Sequence, residues 1–140
     1  MSVPLPLKRA VFQRAGGRCE YCGLSRAMQE ARFHVDHIHP LSEDGATSPE
    51  NLALACVSCS LRKGARRTAP DPATRKPAPI FHPRQQVWSE HFQWKGCRVL
   101  GFTPTGRATV AALRMNRQLA QAIRAEESRQ GRHPPPGHIR

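Results

Sequence analysis

Apolar and polar positions along this chain change period several times, and each change marks an element. Leu7 to Arg14 sets Leu7, Ala10 and Val11 among Arg9, Gln13 and Arg14. That spacing predicts a short helix, ended by Gly16-Gly17. Phe33 to Ile38 alternates and is partly β-branched or aromatic, which predicts a strand whose end presents Asp36 and His37 and which Pro40 closes. Leu41 to Pro49 is polar and turn-rich, with Asp44-Gly45 favouring a chain reversal. Ser48-Pro49-Glu50 reads as the start of a helical turn, with serine as cap and proline at the first position, and fixes Asn51 near the strand end. A second helix is expected from around Cys56, carrying Leu61, Arg62 and Lys63 until Gly64 stops it.

The second half follows other rules. Thr68 to Pro79 holds four prolines and no apolar period, so it reads as an extended linker or a strap on the surface. Ile80-Phe81 and Val87-Trp88 open an apolar region, after which Ser89 to Lys95 and Cys97 to Thr103 read as two strands joined near Gly96. Trp88, Phe92, Trp94, Val99, Leu100 and Phe102 are assigned to core, because aromatic residues in a short β element usually supply buried area. Thr105 to Glu127 is the longest helical pattern, capped by Thr103 or Thr105, with Ala108, Ala112, Met115, Leu119 and Ile123 on one stripe. Arg107, Arg114, Arg117 and Arg124 fall on the other side, a solvated face from which one or two reach phosphate. Gly131 to Arg140, with three successive prolines, reads as a frayed tail.

Size changes the picture: 140 residues make one domain's worth, and a core confined to the first half is small enough to need a staple. No apolar run is long enough to span a bilayer, and Met1 to Leu7 lacks the features of a secretory signal, so no membrane partner and a cytoplasmic location are expected. Charge narrows the partner. With 22 Lys and Arg against 10 Asp and Glu, the net charge of +12 is the footprint of a polyanion, and nucleic acid is the natural candidate.

The cysteines supply the staple. Cys19-Glu-Tyr-Cys22 and Cys56-Val-Ser-Cys59 are two pairs of thiols at knuckle spacing. In a reducing compartment they read as metal ligands, and two such knuckles close one tetrahedral Zn²⁺ site with no open position for water. Cys97 is left as a spare thiol. Metal for chemistry must then sit elsewhere. Asp36 offers a hard oxygen to a divalent cation, and adjacent His37 offers an imidazole that can take a proton from water near neutral pH. His34 shares the strand face of Asp36 and His39 that of His37; each reads as a phosphate or metal contact or as an exposed strand-end histidine.

In order along the chain, Cys19, Cys22, Asp36, His37, Asn51, Cys56, Cys59 and Lys63 resemble the HNH endonucleases of the ββα-metal superfamily, in the subtype with four zinc cysteines. The resemblance covers Arg18 to Arg67, and Phe92 to Arg117 looks similar to a tail on some bacterial HNH proteins. It implies an α+β fold: a small zinc-stapled ββα-metal core with a C-terminal β-hairpin and long helix. The expected organisation is a nuclease core over 1–67, the strap over 68–79, the hairpin and basic helix over 80–128 and a flexible tail over 129–140. The implied activity is hydrolysis of DNA phosphodiesters, with RNA as substrate and the oligomeric state left open. In that reading His37 is the general base, Asp36 holds Mg²⁺ or another divalent cation on the scissile phosphate, and Asn51 holds the loop and orients the imidazole. Products would carry 5′-phosphate and 3′-hydroxyl ends.

One position departs from the family pattern. After the last zinc cysteine the family usually has Asn or His at the metal site, and this chain has Ser60, a shorter and weaker ligand. Ser60 either reaches the cation, directly or through water, or leaves it to Asp36, phosphate and water. Arg62, Lys63, Arg66 and Arg67 are the basic cluster best placed to hold a nucleic-acid backbone. The rival readings are a zinc-containing nucleic-acid-binding protein that does not cut, and an adaptor whose knuckles merely hold a protein-binding surface.

Overall fold

The computed structural model describes residues 3–30 and 32–136. Helix α1 runs Leu5–Ala15, and Gly16, at φ 64°, turns the chain out of it in the left-handed conformation that only glycine adopts without strain. Strand β1, His34–His37, pairs antiparallel with β2, Leu52–Ala55, in a register that sets Asp36 opposite Ala53 and His37 opposite Leu52. Helix α2, Val57–Lys63, follows at once. Every residue of β2 is buried, because α1 lies over this hairpin and α2 packs back on it.

Strand β2 was implied by the family resemblance and not by its own residues. Leu-Ala-Leu-Ala carries no β-branched residue, so propensity argues against a strand, and burial against α1 and β1 overrides it. The helical turn expected at Ser48-Pro49-Glu50 forms as a single 3₁₀ turn, Pro49–Asn51, and the Ser48 side chain makes no capping bond.

The proline strap is a second hairpin. Strands β3, Thr68–Pro70, and β4, Pro77–Pro79, pair antiparallel and lie on the following helix, with Ala69, Ala78, Ile80 and Ala108 forming a small separate core. Its turn is held by Asp71. That carboxylate is fully buried and accepts from Arg107 Nε at 2.9 Å, Arg107 Nη2 at 2.8 Å and the Ala73 N–H at 2.9 Å.

The Arg107 bonds hold the Asp71 carboxyl down at about 2. A carboxyl whose folded value lies below its unfolded value of about 3.9 adds stability that is complete above that value and lost as pH falls through the folded one. Asp71→Asn is therefore expected to melt several degrees lower at pH 7, with the deficit narrowing only below about pH 4. Melting curves of both proteins at pH 7 check the deficit, and its absence sinks the assignment.

Strands β5, Phe92–Lys95, and β6, Arg98–Gly101, form the expected C-terminal hairpin, turning at Gly96. Trp88, Phe92 and Val99 are buried as expected, Trp94 and Leu100 are intermediate, and Phe102 is 49% exposed. The single long helix is corrected to two: α3, Pro104–Ala112, capped by the Thr103 hydroxyl on the Gly106 N–H, and α4, Gln118–Arg129. Between them Arg114 takes a left-handed φ of 48°, and the Asn116 amide pairs both ways with the Val99 backbone, at 2.7 and 2.8 Å. This tertiary bond stabilises a break that the continuous apolar period conceals. Leu119, assigned to the stripe, is 67% exposed.

The expected frayed tail is tied down as far as Pro136. Arg18 Nη2 donates to the Arg132 carbonyl, His133 contacts the Gly96 carbonyl and packs edge-on against Trp94, and Pro135 is buried. The rest of that tail lies outside the described residues. The molecule is thus α+β, with four α-helices, three short antiparallel strand pairs and one four-cysteine cluster among the described residues. No helix there is long and apolar enough to cross a membrane.

Candidate metal centre and active site

Cys19, Cys22, Cys56 and Cys59 converge from two turns. The first knuckle is a tight reversal closed by Cys19 N–H to the Leu24 carbonyl and Gly23 N–H to the Cys19 carbonyl, each at 2.9 Å. The second is the start of α2, where Cys56 stands at the N-cap and its Sγ accepts from the Cys59 N–H at 3.4 Å. All four Sγ atoms lie within 4.8 Å of one another, wholly buried, and Cys22 and Cys56 Sγ are 3.7 Å apart. Tetrahedral zinc at about 2.3 Å from each sulfur needs sulfurs about 3.8 Å apart, so the donor set fits such an ion. Contact with Cys19 Sγ pulls the Cys22 and Cys56 thiols down, and Cys19, desolvated, is pushed up. Without a cation this box cannot hold four thiolates.

Two arginines from the C-terminal half close over it. Arg117 Nη2 lies 3.8 Å from Cys56 Sγ, and Arg124, 1% exposed, donates to the carbonyls of Cys22 at 3.2 Å and Cys97 at 3.0 Å. The helical period gave these two to a solvated face with phosphate contacts; at least Arg124 is instead interior. The reason is the break at Asn116, which redirects the chain so that Arg117 and Arg124 face the cysteine cluster.

Asp36 and His37 stand at the end of β1. Asp36 Oδ2 is buried and accepts no hydrogen bond among the described residues; Lys63 Nζ is 3.8 Å away. Burial pushes the Asp36 carboxyl above its ordinary value, while Lys63, His34 and His37 pull against that. On the same strand face His34 Nδ1 lies 2.8 Å from Ser60 Oγ, so the serine at the departing position meets the strand. His37 is half-buried, and desolvation holds it below the ordinary histidine value against the pull of Asp36. Its Nε2 lies 2.9 Å from Thr47 Oγ1, and its Nδ1 has no partner among the described residues.

Asn51 ties the loop between the strands. Its Oδ1 accepts from the His39 N–H at 2.8 Å, and its Nδ2 donates to the carbonyls of His39 at 3.0 Å and Ala46 at 2.8 Å. The loop turns at Gly45, where a Cβ would sit 1.8 Å from the His39 carbonyl oxygen, so no other residue fits. Of the two tasks read for Asn51, its side chain holds the loop, and the imidazole's own contact is Thr47. No sequence signal singles out Thr47. His39 Nε2 sits on the Glu43 carbonyl at 2.7 Å, within the loop, and His34 is exposed.

The basic cluster splits. Arg62, Arg66 and Arg67 are exposed, whereas Lys63 is 2% exposed, with Nζ donating to the His37 carbonyl at 3.1 Å. Burial holds Lys63 below the ordinary lysine value and the Asp36 charge opposes that. Lys63 therefore braces the Asp36-His37 strand end from beneath, and sequence spacing could not tell it from its exposed neighbours.

A β-hairpin followed by a helix, with four converging cysteines and an Asp-His pair at the strand end, makes a ββα arrangement. Residues 19–66 match the model of the HNH endonuclease family, described as HNH endonuclease. The match spans both knuckles, β1, β2 and α2, and suggests a nuclease-type function. No curated protein and no solved structure matches the chain.

Proposed function

We propose that this protein is a metal-dependent endonuclease that hydrolyses DNA phosphodiester bonds. The observation that carries the reading is the orphaned, buried Asp36 Oδ2 beside a half-buried imidazole held by Thr47, on a hairpin that the HNH match covers. Zn²⁺ in the four-cysteine cluster is structural. The ligand set for a catalytic cation, Mg²⁺ or Mn²⁺, is Asp36 together with the His34-Ser60 pair, and when bound there such an ion neutralises charge on the scissile phosphate and the departing oxygen.

The protein's own groups do the rest. His37, kept neutral by its partial burial, takes the proton of the attacking water at Nδ1 while Thr47 holds Nε2. Asn51 fixes the loop that carries Thr47, so the ring is aimed before substrate arrives. Arg62, Arg66 and Arg67 hold the backbone on the outer face of α2 and the loop beyond it.

Supercoiled plasmid is expected to be cut when Mg²⁺ or Mn²⁺ is added and left intact without it. Across a metal titration, Ser60→Ala should raise the concentration needed for half-maximal cutting, and Ser60→Asn should hold or lower it, because asparagine restores a longer carbonyl ligand. A wild type inert with every divalent metal, but active as Ser60→Asn, makes the natural protein a binder on a nuclease frame. A wild type inert in both forms removes the enzymatic reading.

A further inference from the structure

Between the nuclease hairpin and the segment after β4 lies an open groove of about 510 Å³. Its lining includes Lys63, whose Nζ reaches the His37 carbonyl at 3.1 Å and comes within 3.8 Å of Asp36, so one residue links the groove to the Asp36-His37 pair. Arg66 and Arg67, both exposed, line it, with Glu43 3.6 Å from Arg67. His82, Gln85 and Gln86, which lie beyond the stretch matched by the HNH family, line it as well. Ile38 and Ile80 add apolar lining, and Glu50 is the one acid in the lining among the described residues.

His82 is set there as a donor. Its Nδ1 accepts the backbone N–H groups of Arg84 at 3.2 Å and Gln85 at 3.1 Å, which leaves the ring proton on Nε2. Nε2 has no partner among the described residues, and Gln86 Oε1 fixes the residue by accepting its N–H at 2.9 Å. Burial, with Lys63, Arg67 and His39 nearby, holds His82 below the ordinary histidine value, so the ring presents a neutral N–H donor rather than a charge.

We propose that this groove is a nucleotide subsite, taking the nucleotide next to the scissile phosphate, with phosphate against Arg66 and Arg67 and a base or sugar edge on His82 Nε2–H. The proposal rests on the nuclease reading for the position of the scissile bond. A volume of this order suits one nucleotide unit, more than a bare phosphate contact needs. Two cations and a neutral donor lining one groove match the two halves of a nucleotide, a charged one and an uncharged, hydrogen-bonding one.

Anisotropy of a short fluorescein-labelled DNA, without added Mg²⁺ or Mn²⁺, reads binding apart from chemistry. His82→Asn keeps an oxygen where Nδ1 accepts its two N–H groups and deletes the Nε2–H donor. It should weaken binding about three- to ten-fold, the worth of one hydrogen bond, with an unchanged salt slope. Arg66→Gln and Arg67→Gln should each flatten the salt dependence by about one unit. Zinc content and melting temperature verify folding, and the Arg66→Gln and Arg67→Gln variants, at exposed residues, carry the test should His82→Asn not fold. Variants that fold and bind as wild type overturn the subsite, even where the wild type cuts DNA. Weakened variants of a wild type that never cuts keep the nucleotide groove and remove the nuclease.

Discussion

Cys56→Ser is expected to lose its metal and unfold the first half of the chain. Structural zinc in small domains contributes folding free energy on the order of 10 kcal/mol, comparable to the whole net stability of about 5 to 15 kcal/mol of a typical domain. Cys56 is a demanding position: its Sγ caps α2 through the Cys59 N–H, sits 3.7 Å from Cys22 Sγ and faces the Arg117 guanidinium. A serine oxygen is a poor substitute in a soft tetrathiolate set. Elemental analysis should give one Zn²⁺ per wild-type chain and a deficit in the variant, and circular dichroism should show lost structure. Stoichiometric zinc in a Cys19/Cys56 double variant would falsify the assignment.

His37→Ala should abolish cutting while leaving zinc content, melting temperature and DNA affinity close to wild type. A positioned general base contributes roughly 10² to 10⁴ in rate, and the other imidazole beside Asp36, that of His34, is engaged with Ser60 on the cation's side of the site. The structural loss is small. The ring is half-buried and gives up one contact, to Thr47, worth about 1 kcal/mol. Plasmid nicking rates at saturating Mn²⁺ measure the first part and a melting curve the second. A wild-type rate in this variant rules out the mechanism.

Much of the metal centre was legible because its chemistry is local. Cys19 with Cys22 and Cys56 with Cys59 are each set by a turn of four residues, and Asp36-His37 sit at the end of a six-residue alternating run. The partners were not legible. Thr47 reaches His37, Asn116 reaches Val99 and Arg124 reaches Cys22 only after distant segments have packed. Strand β2 fails for the complementary reason: four small or unbranched apolar residues become a strand because α1 covers them, not because of their own preference. The periodic stripe from Ala108 to Ile123 was real in part, yet a period cannot show that one side-chain amide has bent the helix in two.

The Arg124 bond to the Cys22 carbonyl joins residues 102 apart, and Arg18 reaches forward 114 residues to Arg132. Synthesis delivers them in sequence order, with the N-terminal segments free to fold first. All four thiols leave the ribosome well before α4 does, so in a growing chain the cysteine cluster has neither the Arg124 contact nor its cover. Completion of the C-terminal helix closes over the cysteine cluster, which ties the maturation of the first half to the arrival of residues outside the family match.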